Sequence, residues 1–231
     1  MYYYRPAHER GHEHHGWLNS HHTFSFAGYY DPKHMGISVL RVINDDVVSA
    51  GAGFDTHGHK DMEIISYVLE GSIEHKDSMG HTSVLREGEV QRMSAGTGVL
   101  HSEYNPSQTD RLRFLQIWVL PKQKGIEPSY EQRKIEQADT LTPLVTPTGA
   151  HGSLSINQDI NLYRLRLGEL ETIDLDVQGK TGYLHVISGS AVIGEQKVSS
   201  GDGLGLLQEN KITLIGDDGG LEALWFELPA H

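Results

Sequence analysis

Gly51-Ala-Gly-Phe-Asp-Thr-His57-Gly-His59-Lys-Asp-Met-Glu63, followed by the apolar run Ile64-Ile-Ser-Tyr-Val-Leu69 and then Glu70-Gly71, decides how this chain is read. His57 and His59 are two residues apart. On a strand such residues point to one face, with Cα atoms roughly 6.7 Å apart, so their imidazoles can converge on one metal. The β-branched run that follows reads as a buried strand ending at a glycine turn.

A second pair repeats the geometry. His101-Ser102-Glu103 follows the small-residue loop Ser94-Ala-Gly-Thr-Gly98 and precedes another strand, Phe114-Leu-Gln-Ile-Trp-Val-Leu120. Together the pairs offer three imidazoles, His57, His59 and His101, and the carboxylate of Glu103. That set suits a first-row divalent metal with coordination positions left for water, substrate or dioxygen. The competing reading is surface histidines in a histidine-rich chain. Two such pairs on neighbouring strands, each beside a glycine turn, outweigh it.

The spacing Gly51-x5-His57-x-His59-x3-Glu63 resembles the first motif of the cupin superfamily, with the next glycine one residue late at Gly71. Gly88, Gly96, His101 and Asn105 resemble the second motif, although Ser94 stands where proline is usual and the histidine comes late. That departure, with Glu103 after His101, resembles the pirin branch. The stretch His22-Thr-Phe-Ser-Phe-Ala-Gly-Tyr-Tyr-Asp31-Pro32 agrees, and the likeness covers nearly the whole chain. It implies an all-β bicupin, two antiparallel jelly-roll barrels in tandem. The metal would lie in the N-terminal one, held by His57, His59, His101 and Glu103, with Glu103 as ligand, base or both. It further implies a non-haem iron, Fe(II), with Zn, Ni, Cu or Mn as alternatives. The implied activity resembles quercetin 2,3-dioxygenase, with a flavonol and dioxygen as small-molecule partners. The second function open to the family is regulatory, with the metal as a switch and a protein as partner. A third is another cupin enzyme, an isomerase or lyase.

Composition bounds these readings. The 231 residues suffice for one large or two small domains. A formal net charge of −12 argues against direct nucleic-acid binding, which needs Lys and Arg on phosphates. The chain has no cysteine, hence no disulfide framework and no thiolate metal site, which fits a cytoplasmic protein. Met1-Tyr-Tyr-Tyr-Arg-Pro-Ala-His8 has no basic-then-apolar signal pattern, and no apolar run approaches the ~20 residues that span a bilayer, so no membrane partner is expected. The abundant glycine and short strand candidates favour an all-β sandwich or barrel.

Along the chain, His8, His12, His14, His15, His21 and His22 are expected in an exposed segment with adventitious metal affinity. Thr23–Phe26 and Ile37–Ile43 read as strands, the second closed by Asn44-Asp45-Asp46 acting as a turn. His75 and His81 flank a turn and are expected to be solvated. Phe114, Gln116 and Trp118 share one strand face and Leu115, Ile117 and Val119 the other; which faces the metal stays open. A short helix fits within Glu127–Gln137. The link between the halves falls within 121–152, giving an N-terminal metal-binding half at 1–133 and a degenerate half at 134–231.

The second half reads as a decayed copy. Tyr67-Val-Leu-Glu-Gly71 corresponds to His185-Val-Ile-Ser-Gly189, and Gly88-Glu89 to Gly201-Asp202. Counting from these glycines places Leu175, Val177, Leu214 and Gly216 at the ligand positions, so metal is expected in the first half alone. His185 is expected to be a packed or half-exposed histidine. Of the two carboxylates sharing the parity of a histidine pair, Glu103 is preferred to Glu63 as the fourth ligand, because it stands two positions from its histidine rather than four or six and so is less exposed to an intervening bulge.

Overall fold

In the computed structural model, which describes residues 2–177 and 179–230, nearly every element is a strand. The strands are β1 (Tyr2–Arg5), β2 (Gly11–His14), β3 (Leu18–His22), β4 (Leu40–Val48), β5 (Gly53–His59), β6 (Glu63–Glu70), β7 (Ser72–Asp77), β8 (Thr82–Arg86), β9 (Glu89–Ser94), β10 (Val99–Tyr104), β11 (Leu112–Val119) and β12 (Ser129–Lys134). There follow β13 (Leu141–Thr146), β14 (Leu154–Ser155), β15 (Asn161–Leu167), β16 (Thr172–Asp176), β17 (Thr181–Ile193), β18 (Gln196–Ser199), β19 (Gly203–Leu206) and β20 (Lys211–Leu228).

A seven-stranded sheet, β12-β9-β6-β11-β4-β3-β2, faces a four-stranded sheet, β5-β10-β7-β8. The second half forms a nine-stranded sheet along β1-β19-β17-β20-β15-β13-β14, with β16 on β20 and β18 on β17. All pairings are antiparallel except β13 with β14. The all-β bicupin expectation holds, but the ladders form open sheets stacked as sandwiches rather than closed barrels. The N-terminal strand also crosses over, for β1 pairs with β19 in the second half.

The seven-stranded sheet is buried on both faces, which explains its nearly continuous apolar strands. One face, with Ile43, Ile65, Leu115 and Ile117, packs against Leu162, Leu224 and Phe226 of the second half. The other, with Val48, Val68 and Phe114, packs on Ile73 and Leu85 of the four-stranded sheet. The face of β11 carrying Phe114, Gln116 and Trp118 is thus the inner one.

Several local expectations fail. Asn44-Asp45-Asp46 makes no turn; all three lie inside β4 and are buried. Asp45 is tolerated there because Arg113 forks onto both its oxygens at 2.9 Å, and Asp46 because Ser20 Oγ donates to it. Thr23–Phe26 is not a strand, only an isolated bridge from Phe26 to Tyr29; the strand lies one step earlier, at β3. The region 127–137 contains β12 instead of a helix, because pairing with β9 overrides local propensity. The histidine-rich start is not a free segment. β2 and β3 extend the large sheet, His22 is buried and His12 stacks on His21 at 4.5 Å. His75 is fully buried against Tyr130, while His81 stays partly exposed. His185 is packed, with neither ring nitrogen partnered. Leu175, Val177 and Leu214 fill the apolar core of the second half.

Candidate metal centre

β5 and β10 pair so that His101 lies directly opposite His57, and Val99 opposite His59. The loop before β10 turns at Gly96, where φ is +48° and a Cβ would fall 2.1 Å from the carbonyl oxygen of Ile126. Only glycine fits this close approach, which delivers His101 to its place. The register between His101 and Glu103 shifts against β5, where Asp55 and Thr56 bulge.

The three imidazoles converge through Nε2. His101 Nε2 lies 2.9 Å from His59 Nε2 and 3.0 Å from His57 Nε2. Both spacings are those of nitrogens that would share one metal ion at metal–nitrogen bonds of about 2.1 Å. His57 Nδ1 donates to the carbonyl oxygen of Asp55 at 2.7 Å, which fixes the tautomer and leaves the Nε2 lone pair inward. Burial, reinforced by His57, pushes His59 down to about 4. Burial also holds His101 well below the ordinary histidine range. Both are therefore neutral at physiological pH, the form that binds metal. The edge of Trp118 meets the His59 ring at 5.0 Å.

The carboxylates occupy different places. Glu103 is buried and brings an oxygen within 4.8 Å of nitrogens of His101 and His75. Gln116 Nε2 donates to its Oε2 at 2.9 Å and Ser66 Oγ to its Oε1 at 3.4 Å. Burial, aided by the charge of Asp46, raises Glu103 to about 7 against these two donors. Glu63 is turned towards Ser94, whose Oγ donates at 2.8 Å, and the backbone N–H of Asn157 at 3.3 Å. Among the described residues it joins neither cluster of potential ligands.

Sequence reasoning missed much of the surroundings. A cavity of about 480 Å³ opens over His57 and His59, walled by Trp17, Phe26, Phe54 and Trp118. His22, Asn44, Gln116, Ser66, Gln91 and Gln132 lie opposite one another on successive strands, a polar row across the inner face of the large sheet. The available signal was a polar residue interrupting an apolar strand. His75 was missed too; its Nε2 meets Asp77 Oδ2 at 3.0 Å beside His101.

Comparisons with known proteins agree with this architecture. Residues 4–119 match the family model described as Pirin, and residues 143–228 the one described as quercetinase C-terminal cupin domain. The chain is 49% identical over 230 residues to quercetin 2,3-dioxygenase of Escherichia coli (strain K12), covering 99% of each. It is 42% identical over 232 residues to a putative quercetin 2,3-dioxygenase of Pasteurella multocida, covering 97% of this chain and 98% of that one. The crystal structure of the bacterial pirin YhhW from Escherichia coli, in complex with nickel(II), superposes with a TM-score of 0.96 at 49% identity and full coverage of both chains.

Proposed function

The chain belongs to the pirin family, and from that premise we propose that it is a metal-dependent dioxygenase that opens a flavonol such as quercetin with dioxygen and releases carbon monoxide. The observation that carries this reading is the convergence of three imidazoles at the edge of an aromatic-walled cavity. About 480 Å³ lies within the range that takes a molecule of flavonol size. The names of the relatives and the nickel-bound neighbour support the reading.

We assign His57, His59, His101 and Glu103 as the ligands of a divalent metal, Fe(II) in the working enzyme. The metal, when bound, supplies Lewis-acid and redox chemistry towards the flavonol oxygens and dioxygen. The chain's own groups do the rest. Trp118 and Phe54 flank the imidazoles and exclude water. Glu103, aimed by Gln116, accepts the proton of the flavonol 3-hydroxyl. Its position beside a cation would favour the charged form and offset the effect of burial. Metal binding belongs to residues 1–133, and residues 134–231 form the metal-free partner half. A cytoplasmic location completes the assignment.

The test is turnover. Iron-loaded protein should consume quercetin and dioxygen in step and release carbon monoxide. A rate no greater than that of free iron at matched concentration would sink the enzyme reading in favour of a regulatory one.

A further inference from the structure

The cavity over the imidazoles has a second polar end. Its wall is mostly apolar, yet Ser20 and His22 of β3 and Asn44 and Asp46 of β4 turn into it, each only 2% exposed. They form two directly opposed cross-strand pairs, Ser20 with Asp46 and His22 with Asn44. Ser20 Oγ donates to Asp46 Oδ1, while His22 Nδ1 and Asn44 Oδ1 are buried without a partner. None of the four joins a cluster of potential metal ligands among the described residues.

Unpartnered polar atoms in a buried wall are costly unless something fills their bonding capacity. Here a carboxylate, an amide oxygen and an imidazole nitrogen lie within one aromatic-walled space. Such a set matches phenolic hydroxyl groups on a planar ring whose other end reaches the imidazoles. We propose that Ser20, His22, Asn44 and Asp46 form a hydroxyl-recognition subsite that takes the hydroxylated ring of a polyphenol away from its metal-chelating edge. The subsite rests on the flavonol reading above and adds the determinant of which flavonol is preferred. Asp46 accepts a hydrogen bond from one hydroxyl, and Asn44 Oδ1 accepts a second.

The experiment is binding without turnover. Nickel-loaded full-length protein is titrated under argon with quercetin and with 3-hydroxyflavone, which shares the 3-hydroxyl and 4-keto edge but lacks the other hydroxyl groups. The wild type should bind quercetin about tenfold more tightly than 3-hydroxyflavone, as one buried hydrogen bond allows. Asp46→Asn and, separately, Asn44→Leu should lower that ratio several-fold, with nickel content and the 3-hydroxyflavone Kd unchanged. A wild-type ratio near one, a ratio that survives both substitutions, or equal loss of both ligands in both variants would overturn the subsite and leave the flavonol reading standing. Failure of the wild type to bind either compound would overturn the flavonol reading, and the subsite with it.

Discussion

Gln116 Nε2 donates a 2.9 Å hydrogen bond to Glu103 Oε2 across the gap between the two sheets of the first half. The donor stands on β11 and the acceptor on β10, so one amide ties the large sheet's inner face to the strand that carries His101. Burial raises this carboxyl to about 7 against so few donors, and a cation beside it would favour its charged, proton-accepting form.

The first prediction separates the two glutamates. Glu103→Gln should lower metal affinity about 10–100-fold and turnover by at least about 100-fold. Glu63→Gln should keep most of the metal, because Glu63 is engaged by Ser94 and Asn157. Metal content after dialysis and flavonol turnover check both. Loss of metal from the Glu63 variant alone would reverse the assignment.

The second concerns stoichiometry. Purified protein should hold about one tightly bound metal per chain, and His101→Ala should abolish it, since His101 Nε2 is the atom shared by both short contacts. His12→Asn should leave the count unchanged; His12 is bonded to Asn19 and stacked on His21 outside the cavity. Elemental analysis after chelator treatment decides.

The third is a pH dependence. Burial raises Asp46 to about 7, with Asp45 adding to the shift and Ser20 opposing it. A carboxyl raised on folding stabilises fully below its unfolded value of 3.8, and this contribution is lost as pH rises through about 7. Asp46→Asn cannot ionise. In metal-free protein the variant should match the wild type near pH 4 and exceed it in Tm above pH 7, by a stability difference of a few kcal/mol at most. Parallel Tm curves across that range would contradict the assignment.

The fourth tests the contact between the halves. Ile117 is fully buried on the outer face of the large sheet. Ile117→Ala should cost about 2–5 kcal/mol in denaturant unfolding while the metal content stays unchanged. A large loss of metal would show that the two faces of β11 are coupled.

The elements that the sequence disclosed were those with local signatures. His57, His59 and His101 announced themselves by spacing, because strand parity alone puts each pair on one face. The strands around Ile64–Leu69 and Phe114–Leu120 were legible as apolar runs. Asp46 was not, since the group that makes it tolerable underground, Ser20, stands 26 residues away. His75 has its partner Asp77 two residues on in the same strand, and its burial, like that of His22, comes from packing that spacing does not reveal. β12 was hidden for the same reason. Its residues carry little strand preference, and only the edge of β9 fixes their conformation. The inward face of β11 was undecidable from alternation, because both of its faces are covered.

The crossing of β1 into the second half has a consequence for biosynthesis. Its pairing partner, β19, is translated about two hundred residues later, which at ordinary rates is roughly 10–40 s. During that interval the large and small sheets of the first half can form, while the earliest strand waits without its neighbour. A nascent chain arrested before Gly203 would therefore present Tyr2–Arg5 as an open edge, a target for chaperones and for pairing with another ribosome's product. Synthesis of β19 gives β1 a hydrogen-bonding neighbour on one side, while the other side stays the edge of the nine-stranded sheet.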